Sequence, residues 1–77
     1  MNRKQKNEMK DYVINCFAEL YDYDLYSAKN IVEASSFMDT LENNPNYVMH
    51  YDDEYWARRI KAEKEEIEKY KKVLVLQ

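Results

Sequence analysis

A chain of 77 residues, 45% apolar and 35% charged with a net charge of −3, has room for one small core and none for a doubly wound sheet or a barrel. It contains no glycine, which excludes phosphate-cradling loops, dinucleotide fingerprints and nucleophile elbows, all of which need backbone that only glycine tolerates. Its single cysteine excludes an internal disulfide, and its lone proline leaves little punctuation for hairpins, so an all-α fold of three to five helices is expected.

Met9, Val13, Cys16, Phe17 and Leu20 make one apolar stripe, predicting a helix over roughly 5–21 that ends in Tyr21-Asp22-Tyr23-Asp24. Cys16 within that stripe reads as a small buried hydrophobe, and a lone thiol points to a reducing compartment. Asp24 is the expected N-cap of a second helix over roughly 25–34, with Leu25, Ala28, Ile31, Val32 and Ser35 on its buried side. Ser36 followed by Asp39 resembles a capping pair for a third helix over roughly 36–43, with Phe37, Met38 and Leu41 apolar. Asn43-Asn44-Pro45-Asn46 is the clearest loop, and residues 47–51 form a short amphipathic stretch.

Asp52 or Asp53 should cap a final helix over roughly 53–74, which with a compact body over roughly 5–52 makes a single helical domain over 1–77. Trp56, Ile60, Glu63, Ile67, Tyr70 and Leu74 recur at alternating steps of four and three, the spacing of a coiled-coil seam with one polar position. Such a helix, about 30 Å long at 1.5 Å per residue, should outrun so small a body, its C-terminal half projecting or pairing with another chain. Trp56, Ile60, Ile67, Tyr70 and Leu74 are therefore the expected self-association residues of a homodimer.

No apolar segment has signal-peptide or membrane-span length, since the longest run is Val73-Leu74-Val75-Leu76; a cytoplasmic protein without a membrane partner is expected. Charge is unevenly spread: residues 1–10 carry +3, residues 11–54 carry −9 and residues 55–77 carry +3. An acidic middle disfavours direct nucleic-acid binding and favours a basic partner.

Candidate chemistry is sparse. Asp22, Asp24 and Glu33 fall at three positions of a calcium loop, but the intervening positions carry Tyr26, Ser27 and Lys29, which do not fit. His50 beside Asp52, Asp53 and Glu54 lacks the further histidine or cysteine that zinc requires, so neither a metal, a cofactor nor catalysis is expected. Eight tyrosines and one tryptophan are the sharper signal, because these side chains anchor protein interfaces. Tyr21, Asp22, Tyr23 and Tyr26 at one corner, with Tyr51, Asp52, Asp53 and Tyr55 at another, are the expected partner-binding residues.

The stretch Ala28 to Ile60, through Ile31-Val32, Phe37-Met38-Asp39-Thr40-Leu41, Val48-Met49-His50 and Glu54-Tyr55, resembles small uncharacterised helical proteins of low-GC Gram-positive bacteria and their phages or mobile elements. That resemblance implies a non-enzymatic accessory protein acting on a bacterial or phage partner. The leading expectation is a protein–protein interaction module that inhibits or regulates a larger partner. The alternatives are a nucleic-acid mimic that blocks a basic cleft and a protein that self-assembles through its last helix.

Overall fold

The structure, a computed structural model, describes the backbone of residues 1–76 and the side chains of residues 1–73. Five helices follow one another: α1 Arg3–Tyr21, α2 Leu25–Glu33, α3 Phe37–Asn43, α4 Pro45–Met49 and α5 Asp53–Leu76. The expected all-α architecture with a long C-terminal helix is present, and the described residues contain no strand.

Polar residues close several helix ends, and backbone bonds alone close others, such as those at Ala34 and His50. Asn2 and Gln5 cap α1 reciprocally, the Gln5 N–H donating to Asn2 Oδ1 at 2.8 Å and the Asn2 N–H to Gln5 Oε1 at 3.0 Å. This pair moves the start two residues ahead of the expected one. At the other end Asp22 adopts the left-handed conformation (φ 57°, ψ 46°), and the Tyr23 N–H reaches back to the Ala18 carbonyl at 3.0 Å. Aspartate tolerates that seat better than most residues with a Cβ, which is how a glycine-free chain turns here. Asp24 caps α2 as expected, accepting from the Ser27 N–H at 2.8 Å and the Ser27 hydroxyl at 3.0 Å.

The expected Ser36–Asp39 capping pair is not formed. Ser36 has helical backbone angles, and its side chain makes no cap to its own helix. A capping side chain needs extended backbone to aim at the free N–H groups, and Ser36 lacks it. Instead Glu63 of α5 reaches across: the Ser36 N–H donates to Glu63 Oε1 at 3.0 Å and the Ser36 hydroxyl to Oε2 at 2.8 Å. The polar position of the predicted seam is thus a tie between α5 and α3.

The predicted loop at 43–46 shrinks to Asn44, because Pro45 occupies the first position of α4, where its missing N–H costs nothing. Asp52 is the cap of α5, accepting from the Tyr55 N–H at 2.8 Å.

One core draws on all five helices: Val13, Ile14 and Phe17; Ala28 and Val32; Phe37 and Leu41; Val48; Trp56, Ala57 and Ile60. Two residues expected inside, Leu20 and Leu25, are exposed, while Ile14 is buried. The α1 stripe centres nearer Ile14 and Phe17, which carries Leu20 to its edge, and Leu25 opens α2 at the outer corner. Cys16 is half-buried against the core rather than enclosed.

The first turns of the last helix pack into the body, since Trp56 and Ile60 are core residues of the chain itself. Burial there removes both from the predicted self-association seam. Ile67 and Tyr70 are exposed, and the Leu74 side chain lies outside the described residues.

Removing the carboxylate by Glu63→Ala should lower stability by about 1–2 kcal/mol, the range of a lost helix cap. Glu63→Gln should retain part of it. Urea unfolding followed by circular dichroism measures both, and an unchanged midpoint for Glu63→Ala would show the tie to be inert.

Candidate binding surface

Trp56 is placed by the hinge at Asn44, which folds α4 back over the first turns of α5. Its indole N–H donates to the Val48 carbonyl at 3.0 Å, so the polar handle of a ring only 4% exposed is satisfied. Phe37 lies 5.4 Å from it, Tyr55 5.0 Å, Tyr47 5.8 Å and Tyr51 6.0 Å, centroid to centroid. Tyr51 and Tyr55 stack at 4.0 Å with ring planes 16° apart, and Tyr47 meets Tyr51 edge-on at 5.5 Å. The Arg59 guanidinium sits 6.0 Å above the Tyr55 ring.

This network has a buried centre and an open rim. Tyr47 is 40% exposed and Tyr51 39%, with Met49 beside them in sequence at 64%. Their rings are braced by neighbours, so little rotamer freedom remains to be lost on binding. A groove of about 340 Å³ runs from this cluster between α3 and α5, floored by Phe37, Trp56 and Ile60 and edged by Arg59 and Glu66.

The eight residues expected to bind a partner divide into two unequal groups. Tyr51, Asp52, Asp53 and Tyr55 fall together at the start of α5. Tyr21 and Tyr23 instead close the core edge, Tyr21 tilted against Phe17 at 5.1 Å and Tyr23 stacked on it at 5.3 Å, with Lys61 over Tyr21 at 5.5 Å. Asp22 shapes the turn, and only Tyr26, 76% exposed, stands free at that corner. Among the described residues no aromatic contact joins the two groups. Tyr47, which clusters with Tyr51, Tyr55 and Trp56 in the sequence, joins this surface together with Met49 and Arg59, and Pro45 as the start of α4 is the signal for Met49.

Much of the acidic middle is already engaged. Glu42 is held by Arg3 at 2.8 Å and Lys6 at 3.5 Å, and Glu33 by Lys10 at 2.9 Å. The hydrogen bond from Lys10 holds Glu33 below the usual carboxylate range, and that from Arg3 does the same for Glu42. Asp24 is lowered mainly by the Ser27 N–H, and Glu68 by its in-helix partner Lys64. Arg58 pairs with Glu54 at 2.7 Å within α5, which raises the guanidinium's own value.

Burial pushes the Cys16 thiol up, and the charges of Asp53, Glu54, Asp52 and Glu19 push it further, so it stays protonated at neutral pH. Asp24 and Glu33 lie at opposite ends of α2, about 13 Å apart at 1.5 Å per residue, which dissolves the calcium-like pattern. Among the described residues no group of three histidine, cysteine or acidic side chains converges as a metal site would require. No helix among them is long and apolar enough to cross a membrane. No family model, curated protein or solved structure matches the chain.

Trp56→Ala should destabilise by about 3–5 kcal/mol, as large-to-small core changes do, and Tyr51→Ala by about 1 kcal/mol or less, measured by urea unfolding. Equal losses would mean that Tyr51 belongs to the core rather than to the surface. Acid should also weaken the fold. Glu33, Glu42 and Asp24 titrate lower folded than their ordinary values of 4.5, 4.5 and 3.8, so their contribution is complete above those values and lost as pH falls below them. Glu33→Gln with Glu42→Gln should flatten this acid arm of the stability curve.

Proposed function

We propose that the chain is a non-catalytic protein–protein interaction module that regulates or inhibits a larger partner through the tyrosine cluster around Trp56. One observation carries the reading: Tyr47 and Tyr51 are presented at the surface by a buried tryptophan and by each other. Rigid aromatic anchors at the centre of a patch supply most of the energy in protein interfaces. Asp52 and Asp53 flank them and would steer a partner with a basic surface, acting on its approach more than on its residence. The resemblance to accessory proteins of Gram-positive bacteria and their phages fits such a role in the cytoplasm.

The alternative of a nucleic-acid mimic is weaker. Arg3, Lys6 and Lys10 draw charge from Glu33 and Glu42, so the negative surface is smaller than the sequence blocks suggest. Mimicry of a phosphate backbone rests on a dense array of unpaired anions.

Immobilised protein should capture a specific partner from a lysate of a low-GC Gram-positive bacterium. Tyr47→Ala with Tyr51→Ala should abolish that capture while far-ultraviolet circular dichroism stays unchanged. Asp52→Asn with Asp53→Asn keeps the α5 cap and should slow association and reduce its salt dependence. Equal capture by the wild type and the tyrosine double variant would remove this surface from the function.

A further inference from the structure

We propose that the groove between α3 and α5 receives an amphipathic helix of the protein partner, one that carries an acidic and a basic residue two turns apart beside its apolar face. The proposal rests on the reading of the tyrosine cluster as a binding surface and names the element that docks there. The groove opens beside Tyr47, has a volume of about 340 Å³ and is floored by the core residues Phe37, Trp56 and Ile60.

The walls favour a helix over an extended segment. They are themselves helical, with Phe37 and Thr40 of α3 on one side and α5 from Trp56 to Glu66 on the other. Backbone groups inside a helix are spent on that helix, and the Ser36 N–H at the start of α3 is taken by Glu63. An extended segment laid here would bury backbone N–H and carbonyl groups with nothing to pair them. A helix arrives with those bonds already made and presents side chains alone to an apolar floor.

Charge sets what that helix carries beside its apolar face. Arg59 and Glu66 edge the groove from the same side of α5, about 10 Å apart along the axis at 1.5 Å per residue. Both are exposed, and among the described residues neither forms an ion pair. Glu63 between them is occupied by Ser36, and the Arg59 guanidinium lies over the Tyr55 ring, beside the tyrosine cluster. Two unpaired opposite charges two turns apart are met by one acid and one base at the same spacing on the docking helix. Either direction of that helix satisfies both, so the mixed pair, not its order, is the specific feature. Asp52 and Asp53 then draw the partner in, while Arg59 and Glu66 fix its register.

A displayed library of helical peptides tests this. Every member carries leucine along one face, and two flanking positions seven residues apart are varied among glutamate, lysine and alanine. On immobilised wild-type protein, members with one glutamate and one lysine should be enriched about fivefold over those with two like charges, as expected when one exposed attraction replaces a repulsion. R59E should instead select two lysines, and E66K two glutamates. The winning peptide, synthesised, should change the emission of Trp56, the only tryptophan of the chain and part of the groove floor. A62R, at an exposed wall position outside the tyrosine cluster, should abolish its binding. Circular dichroism and urea unfolding confirm that each variant remains folded. No enriched helix, the same selection on all three proteins, or binding that survives A62R would each overturn the proposal. The tyrosine reading fails separately, if capture from the lysate survives Tyr47→Ala with Tyr51→Ala.

Discussion

The indole of Trp56 is the interaction on which the second half of this fold depends. Its ring touches Phe37 of α3, Tyr47 of α4 and Tyr55 of α5, and its N–H is bound to the Val48 carbonyl. Helix α4 has five residues, far too few to persist alone when isolated helices of about 12–15 residues are already marginal in water. It holds its place because Val48 is buried beneath the indole and Pro45 presets its first turn. The orientation of Tyr47 and Tyr51 follows from that packing, so the surface proposed for binding is set by a core residue.

A second constraint is the absence of glycine. Helix ends leave unsatisfied N–H and carbonyl groups, and this chain closes several of them with acidic residues in place of glycine turns. Asp22 takes the left-handed seat, Asp24 and Asp52 cap from within, and Glu63 supplies a carboxylate from another helix. Several of the acids that give the middle of the sequence its negative block are therefore architectural. Others are matched by the basic N-terminal turns, which pack alongside through Arg3, Lys6 and Lys10. Charge consequently plays the secondary part at the proposed surface, and the aromatic rings the primary one.

What could be read from the sequence divides along the same lines. Local caps are legible in the sequence, because Asp24 and Asp52 each accept from an N–H only three residues away. The role of Glu63 is not, since Ser36 lies 27 residues distant and nothing local distinguishes a solvated glutamate from a tie. The two tyrosine corners looked alike in composition. Phe17 absorbs Tyr21 and Tyr23 at the end of the α1–α2 hairpin, whereas Trp56 leaves Tyr47 and Tyr51 at the rim. Long-range packing decides that difference. The loop expected around Pro45 is a helix start because proline is accepted at the first helical position and restricts the residue before it, Asn44.

The heptad spacing of α5 shows how one periodic signal can serve two surfaces. A repeat of apolar residues states that a face will be covered, but not by what. Along its first half the cover is the chain's own body, which claims Trp56, Ala57 and Ile60, and Glu63 marks the change by turning the polar position into a bond with α3. Past that residue α2 covers only one flank of the stripe, since Ile31 and Ala34 reach Ile60 and Ile67 along a single groove wall. A chain this small gains only a few kcal/mol from a single core and usually needs an additional source of stability. Disulfide closure is excluded by the single cysteine. Polar ties between helices add to the core instead, Glu63 to Ser36, Arg3 to Glu42 and Lys10 to Glu33.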